Sequence, residues 1–167
     1  VEIALAELFK ERVSISGSGR TDAGVHALEQ VFHFDYDWNH GSEKLLRAMR
    51  SLSPKTIRPL YVNLVPGDFH ARFSATARRY RYIIYNNRLR NSILAKGVTH
   101  IHNVLDHELM HQAAQHLLGR HDFSAFRAVN CQANTPVRQM SKISVSRFGD
   151  YIVIDVKANE LADAFNA

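Results

Sequence analysis

Apolar and polar residues recur along this chain with two different periods, and the period changes from segment to segment. Near the start, Ile3, Ala4 and Leu8 fall on one side of a helical wheel, with Glu2, Glu7, Lys10 and Glu11 on the other. That spacing predicts a short amphipathic helix. Val13 and Ile15 then alternate with Ser14 and Ser16, a brief strand that runs into the glycine-punctuated stretch Gly17 to Gly24. Residues 30–36 alternate again, with Val31, His33 and Asp35 facing one way and Phe32, Phe34 and Tyr36 the other. Residues 43–52 return to the helical period, with Leu45, Leu46, Met49 and Leu52 on one side, and Pro54 stops that helix.

Residues 57–65 predict a strand, with Pro59 confining it to an edge or a bulge. Residues 76–85 form the strongest strand candidate. Residues 104–119 fit a helix capped by Asp106, with Leu109, Met110, Ala113, Leu117 and Leu118 as its stripe and Gly119 as its stop. Residues 132–136 read as a loop. Residues 142–147 and 151–157 alternate on either side of Gly149-Asp150, which predicts a β-hairpin. Strands grouped as hairpins with a few helices among them indicate an α+β fold, a mixed and largely antiparallel sheet with flanking helices. The expected organisation is an N-terminal lobe over residues 1–66 and a second lobe over residues 67–167.

Composition narrows the class. With 167 residues, 46% of them hydrophobic, the chain can bury a core and is not disordered by composition. No apolar run approaches the length of about 20 residues needed to span a bilayer, so no membrane partner is expected. Cys131 is the only cysteine, which excludes an intrachain disulfide framework and fits a reducing, cytoplasmic setting. Twenty-one Lys and Arg against 16 Asp and Glu give a formal charge of +5. Residues 69–105 contain no acidic side chain but hold Arg72, Arg78, Arg79, Arg81, Arg88, Arg90 and Lys96. A polarised stretch of this kind is a candidate phosphate footprint.

The segment Gly17-Ser18-Gly19-Arg20-Thr21-Asp22-Ala23-Gly24-Val25-His26 presents a carboxylate on a loop that glycines allow to turn sharply. By spacing alone, Asp22 before Ala-Gly fits an Asx turn. The stretch lacks the Lys-Ser/Thr ending of a phosphate-cradling P-loop.

Gly19-Arg20-Thr21-Asp22-Ala23-Gly24-Val25-His26-Ala27 resembles the signature of the TruA-type tRNA pseudouridine synthases. Three more stretches match that family in order. Phe69-His70-Ala71-Arg72-Phe73-Ser74-Ala75, followed by Arg79-Tyr80-Arg81-Tyr82, is similar to its second motif. The stretch from Gly119 to Phe126, with Asp122-Phe123-Ser124 inside, is similar to a third. Asp155-Val156-Lys157-Ala158-Asn159 resembles the strand that leads into the last.

The resemblance implies a pseudouridine synthase-like fold and isomerisation of uridine to pseudouridine in the anticodon arm of tRNA, with no cofactor and no metal. It implies tRNA as partner and a homodimer as working unit. It makes Asp22 the essential catalytic carboxylate, acting ionised, by attack on ribose C1′ or by removal of the 2′ proton. Breaking a bond at an anomeric carbon favours a carboxylate, as in glycosidases. Tyr80 is implied to stack on the extruded uracil, and Arg20 to help displace that base. Alternation along residues 76–85 puts Arg78, Tyr80, Tyr82 and Ile84 on one face and Arg79, Arg81, Ile83 and Tyr85 on the other. Tyr82 and Tyr85 are expected to be core aromatics. Arg72, Arg78, Arg79 and Arg81 are candidate phosphate contacts, while His26 and His70 lie inside the matched motifs as candidate substrate-binding residues.

The family pattern also carries a Tyr-Asp-Gly strand and a Gly-Trp-Gln before the first helix, and a His-rich helix with Val-Arg-Asn after the last strand. Neither has a counterpart here, so the expectation is a family member shortened at both ends. The missing arginine is the one implied to pair with the catalytic carboxylate. A catalytically inactive tRNA-binding fragment is therefore the second reading. A third reading uses the ten histidines as metal ligands. His107 and His111 have i, i+4 spacing, but the helix lacks the acidic residue of the zincin pattern, and exposed or capping histidines fit better. Cys131 sits in a polar loop without an evident catalytic base and is read as incidental.

Overall fold

The structure, a computed structural model, describes residues 1–94, 96–126 and 135–159. Cys131 and most of the loop predicted over residues 132–136 lie outside these. The chain divides into two units, Val1–Ser74 and Ala75–Ala167; the segment 67–74 lies in the first.

In the first unit, helix α1 (Glu2–Phe9) buries Ala4 and Leu5, whereas Ile3, expected on the apolar side, stays exposed. Lys10 ends α1 in the left-handed region, φ 61°. Strands β1 (Ser16–Gly17) and β2 (Phe32–His33) form a short antiparallel pair, and helix α2 (Ser42–Leu52) buries Leu45 and Met49. Leu5, Val13, Leu45 and Met49 form the core of this unit. Phe32, Phe34 and Tyr36 pack against it, as the alternation over residues 30–36 predicts, and Trp38 joins them. Phe9 stacks on Tyr36 with ring centroids 3.6 Å apart, tying the end of α1 to that aromatic row.

Residues 57–65 form no strand. The carbonyls of Pro59 and Leu60 are taken by the Arg50 side chain, at 2.8 and 2.7 Å, not by a neighbouring strand. Pro59 has no N–H to offer a ladder. Only part of the segment turns inward: Val62 packs on the core, while Leu64 is fully exposed.

The second unit is built on a five-stranded sheet in the order β4-β3-β7-β6-β5, from strands β3 (Ala77–Asn86), β4 (Thr99–Ile101), β5 (Gly119–Asp122), β6 (Val137–Phe148) and β7 (Tyr151–Asn159). Only β3 and β4 run parallel. The predicted hairpin is the β6–β7 pair, with Gly149 at φ 57° in its turn. Helix α3 (His107–Gln115) packs on one face, where Ile84, Val145 and Ile152 meet Leu105, Met110 and Ala114. Asp106 caps α3 by accepting from the N–H groups of Glu108 and Leu109, as its position predicts. The helix ends earlier than Gly119 because its last turns tighten: the N–H groups of His116, Leu117 and Leu118 each reach back three residues. Leu109, in the first turn, faces solvent, 62% exposed, and is not part of the packed stripe. The α+β class with a mixed, mostly antiparallel sheet is thus borne out, with three α-helices among the described residues.

A buried polar hub locks one end of this sheet. Asn86 donates from Nδ2 to the carbonyls of Ile101 (2.9 Å) and Asn103 (2.7 Å). Its Oδ1 accepts from Leu105 N–H (3.2 Å) and from Arg147 Nη2 (2.7 Å). Arg147 continues to the carbonyls of Leu105 and Gly149. All four hydrogen-bonding positions of a buried amide are filled, and the hub joins β3, the approach to α3 and the β6–β7 turn.

Candidate functional site

The loop carrying Asp22 springs from the β1–β2 pair. Ser18 N–H donates to the Val31 carbonyl at 2.8 Å, extending the ladder one step, and Gln30 Nε2 donates to the Gly19 carbonyl across the neck. At its tip, Val25 N–H closes a turn on the Asp22 carbonyl at 3.1 Å, with Gly24 at φ 82° in the third position. A positive φ there is what a type II turn demands. This corrects the Asx-turn expectation: the backbone oxygen of Asp22 makes the turn, and the side chain is not consumed by it. Asp22, Arg20 and His26 are all exposed, and among the described residues no hydrogen bond or ion pair engages the Asp22 carboxylate.

Within the same unit, the turn of the second motif packs on β2. Ala71, buried, donates its N–H to His33 Nδ1 at 3.1 Å, and His33 meets His70 edge-on with ring centroids 4.8 Å apart. His70 Nδ1 accepts from the N–H groups of Arg72 (3.2 Å) and Phe73 (3.4 Å), and its ring stacks on Phe73. Its Nδ1 is therefore occupied by its own turn, which leaves Nε2 as the nitrogen able to meet a ligand. Arg72 lies over the Phe73 ring, 5.8 Å from the centroid.

In the second unit, β3 splits the remaining candidates between its two faces. Arg79 and Arg81 converge on Asp155 of β7: Arg79 Nε donates at 3.0 Å, and Arg81 donates through Nε at 3.3 Å and Nη2 at 2.9 Å. These bonds, Arg81's before Arg79's, hold the Asp155 carboxyl below the usual carboxylate range, and Asp155 in turn raises the Arg81 guanidinium. On the opposite face stand half-buried Arg78 and the exposed Tyr80 and Tyr82. Tyr80 is 58% exposed, and among the described residues its hydroxyl has no partner. Tyr82 is 53% exposed and shares a hydrogen bond with Thr99 Oγ1, so it is not the core aromatic it was expected to be. Tyr85 is half-buried, tilted against Tyr151 and His100.

Asp155 lies inside a matched stretch, but its role as partner of these arginines is a matter of strand pairing. The register of β7 on β3 sets it opposite Arg81, a relationship that no single stretch of sequence carries. In the third motif, Asp122 Oδ1 accepts from the N–H (2.8 Å) and the hydroxyl (2.6 Å) of Ser124, which lowers the Asp122 carboxyl and fixes the turn after β5. Of the histidines, His111 Nδ1 accepts from Val145 N–H at 3.2 Å, a structural tie between α3 and β6, and His100 Nε2 contacts the Asn87 carbonyl at 2.8 Å. His102 lines a shallow open depression of about 730 Å³ with Asn86, Asn87, Arg88, Leu89 and Val104, which contains none of the predicted site residues.

A glycine-framed loop holding out a carboxylate, and a strand alternating arginine with tyrosine, are thus the two chemical features of an α+β chain. The family model described as tRNA pseudouridine synthase matches residues 113–164. The chain is 59% identical over 159 residues to tRNA pseudouridine synthase A of Pseudoalteromonas atlantica, covering 95% of this chain and 60% of that protein. It is 54% identical to the protein of that name from Aeromonas hydrophila and 51% identical to that of Escherichia coli, each over 95% of this chain and 59% of the relative. The chain is thus similar to the tRNA pseudouridine synthases and spans about three fifths of the length of these curated relatives.

Proposed function

We propose that the chain carries the catalytic loop and the base-handling strand of a cofactor-free enzyme that isomerises uridine to pseudouridine in the anticodon stem-loop of tRNA. The observation that carries this reading is the 59% identity over 159 residues to a protein named tRNA pseudouridine synthase A. The reaction breaks the bond between ribose C1′ and uracil N1, turns the base, and joins C1′ to C5. The C5 proton leaves to solvent and N1 gains one, so no electron donor or acceptor is needed.

Asp22 supplies the carboxylate that attacks C1′ or removes the 2′ proton, and its exposed position, unengaged among the described residues, suits either role. Tyr80 offers an exposed ring for stacking on the extruded base, with a hydroxyl that has no partner among the described residues and can handle a proton. Arg20 takes part in displacing the base; Arg72, Arg78, Arg79 and Arg81 meet phosphates, and His26 and His70 line the substrate. The same reading makes the working enzyme a cytoplasmic homodimer, on the strength of the family resemblance.

A second reading is a tRNA-binding piece without chemistry. Tritium release from tRNA labelled at uracil C5 decides between them. Release that Asp22→Ala abolishes supports catalysis. Binding of tRNA with no release supports the second reading, and neither binding nor release contradicts both.

A further inference from the structure

We propose that the sheet face opposite Tyr80 is a second RNA-binding surface, a row of cations for phosphate groups in which Asp155 acts as a positioning residue for Arg79 and Arg81. Pairing across three strands places Arg79 opposite Lys157, and Lys157 opposite Lys142, so three positive side chains stand in one row. The adjacent row reads Arg81, Asp155, Ser144. Registered partners share a face, with side chains about 5 Å apart. Like charges directly opposite one another destabilise a sheet. Here one carboxylate stands among four cations and bonds only two of them, Arg79 and Arg81, an arrangement that is relieved when an anion arrives.

Lys142 and Lys157 are exposed, and the side chains of Arg79 and Arg81 are 61% and 51% exposed. Asp155, with a side chain only 16% exposed, grips Arg79 through Nε alone. Among the described residues that leaves both terminal nitrogens of Arg79, and Nη1 of Arg81, without a protein partner. Guanidinium groups held in this way are pre-oriented forks for phosphate oxygens. Helix α3 packs on the other face, against Ile84, Val145 and Ile152. The inference rests on the RNA reading above and adds a surface to it.

The test compares the chain with the Lys142→Gln/Lys157→Gln double variant and with Asp155→Ala. Binding to an RNA stem-loop is measured by fluorescence anisotropy across a salt series, alongside thermal unfolding. The lysine variant is expected to bind about tenfold more weakly at low salt, with a salt slope reduced by about 1.4 to 1.8, while its unfolding temperature is unchanged or higher. Asp155→Ala is expected to bind more weakly although it raises the net positive charge, an effect that charge alone would reverse. Unchanged affinity and slope in the lysine variant overturn the proposal and leave the RNA reading standing. Competition by poly-glutamate as effective as by RNA also overturns it, since the surface would then suit acidic protein. If the unaltered chain binds no RNA, the RNA reading falls and this inference with it.

Discussion

Arg81 and Asp155 face each other across β3 and β7 in direct register, joined by two hydrogen bonds of 3.3 and 2.9 Å. The carboxylate is mostly covered and the guanidinium half open, so the pair braces two strands while leaving a cation at the surface. Because folding lowers the Asp155 carboxyl below its unfolded value, its stabilisation is fully present above about pH 4. It is lost as the pH falls through the folded value. Asp155→Asn is expected to cost about 1 kcal/mol at neutral pH, discounted for the exposure of both arginines, and less in acid as the carboxyl protonates. Urea unfolding at neutral and at acid pH measures this; a cost that does not fall in acid would contradict the electrostatic account.

Asn86 is the residue on which the far end of the sheet depends. Replacing it by Ala leaves the carbonyls of Ile101 and Asn103, the Leu105 N–H and the Arg147 guanidinium short of partners. The expected loss is about 3 kcal/mol in chemical unfolding, and a loss under about 1 kcal/mol would show that water replaces the hub.

Two apolar truncations should separate packed from unpacked helix positions. Met49, 1% exposed, is at the centre of the first core, and Met49→Ala should cost about 3 kcal/mol. Leu109, 62% exposed, should tolerate Ala within about 0.5 kcal/mol. Urea midpoints read both; equal losses would place Leu109 in a packed environment.

The helical and strand periods made much of the fold legible: α2, the Asp106 cap of α3, β3 and the β6–β7 hairpin all stand where the patterns put them. Failures came where a local pattern had no neighbour to complete it. Residues 57–65 alternate like a strand, but Arg50 takes their carbonyls. Ile3 and Leu109 fit helical stripes whose packed faces are set slightly differently by tertiary contacts. For the site, the motif stretches pointed to Asp22 and Tyr80, but register is a property of paired strands. That Arg79 and Arg81 share Asp155 was therefore not readable from the chain alone.

The turn that presents Asp22 depends on Gly24. At φ 82° a side chain is strained, although an added Cβ would meet no atom within 4 Å, so the cost lies in the backbone alone. Gly24→Ala should lose about 1 kcal/mol of stability. Tritium release should fall roughly tenfold, because the tip carrying the carboxylate re-aims. Full release from a stable Gly24→Ala chain would show that the turn geometry is not needed.

The most direct test of the carboxylate's role is trapping with tRNA that carries 5-fluorouridine in its anticodon stem-loop. Fluorine at C5 cannot depart as a proton does, so a base that has been detached and rejoined stays held. The account predicts a long-lived complex with the unaltered chain that survives denaturing electrophoresis or gel filtration, and none with Asp22→Ala. A complex of equal lifetime formed by Asp22→Ala would contradict it.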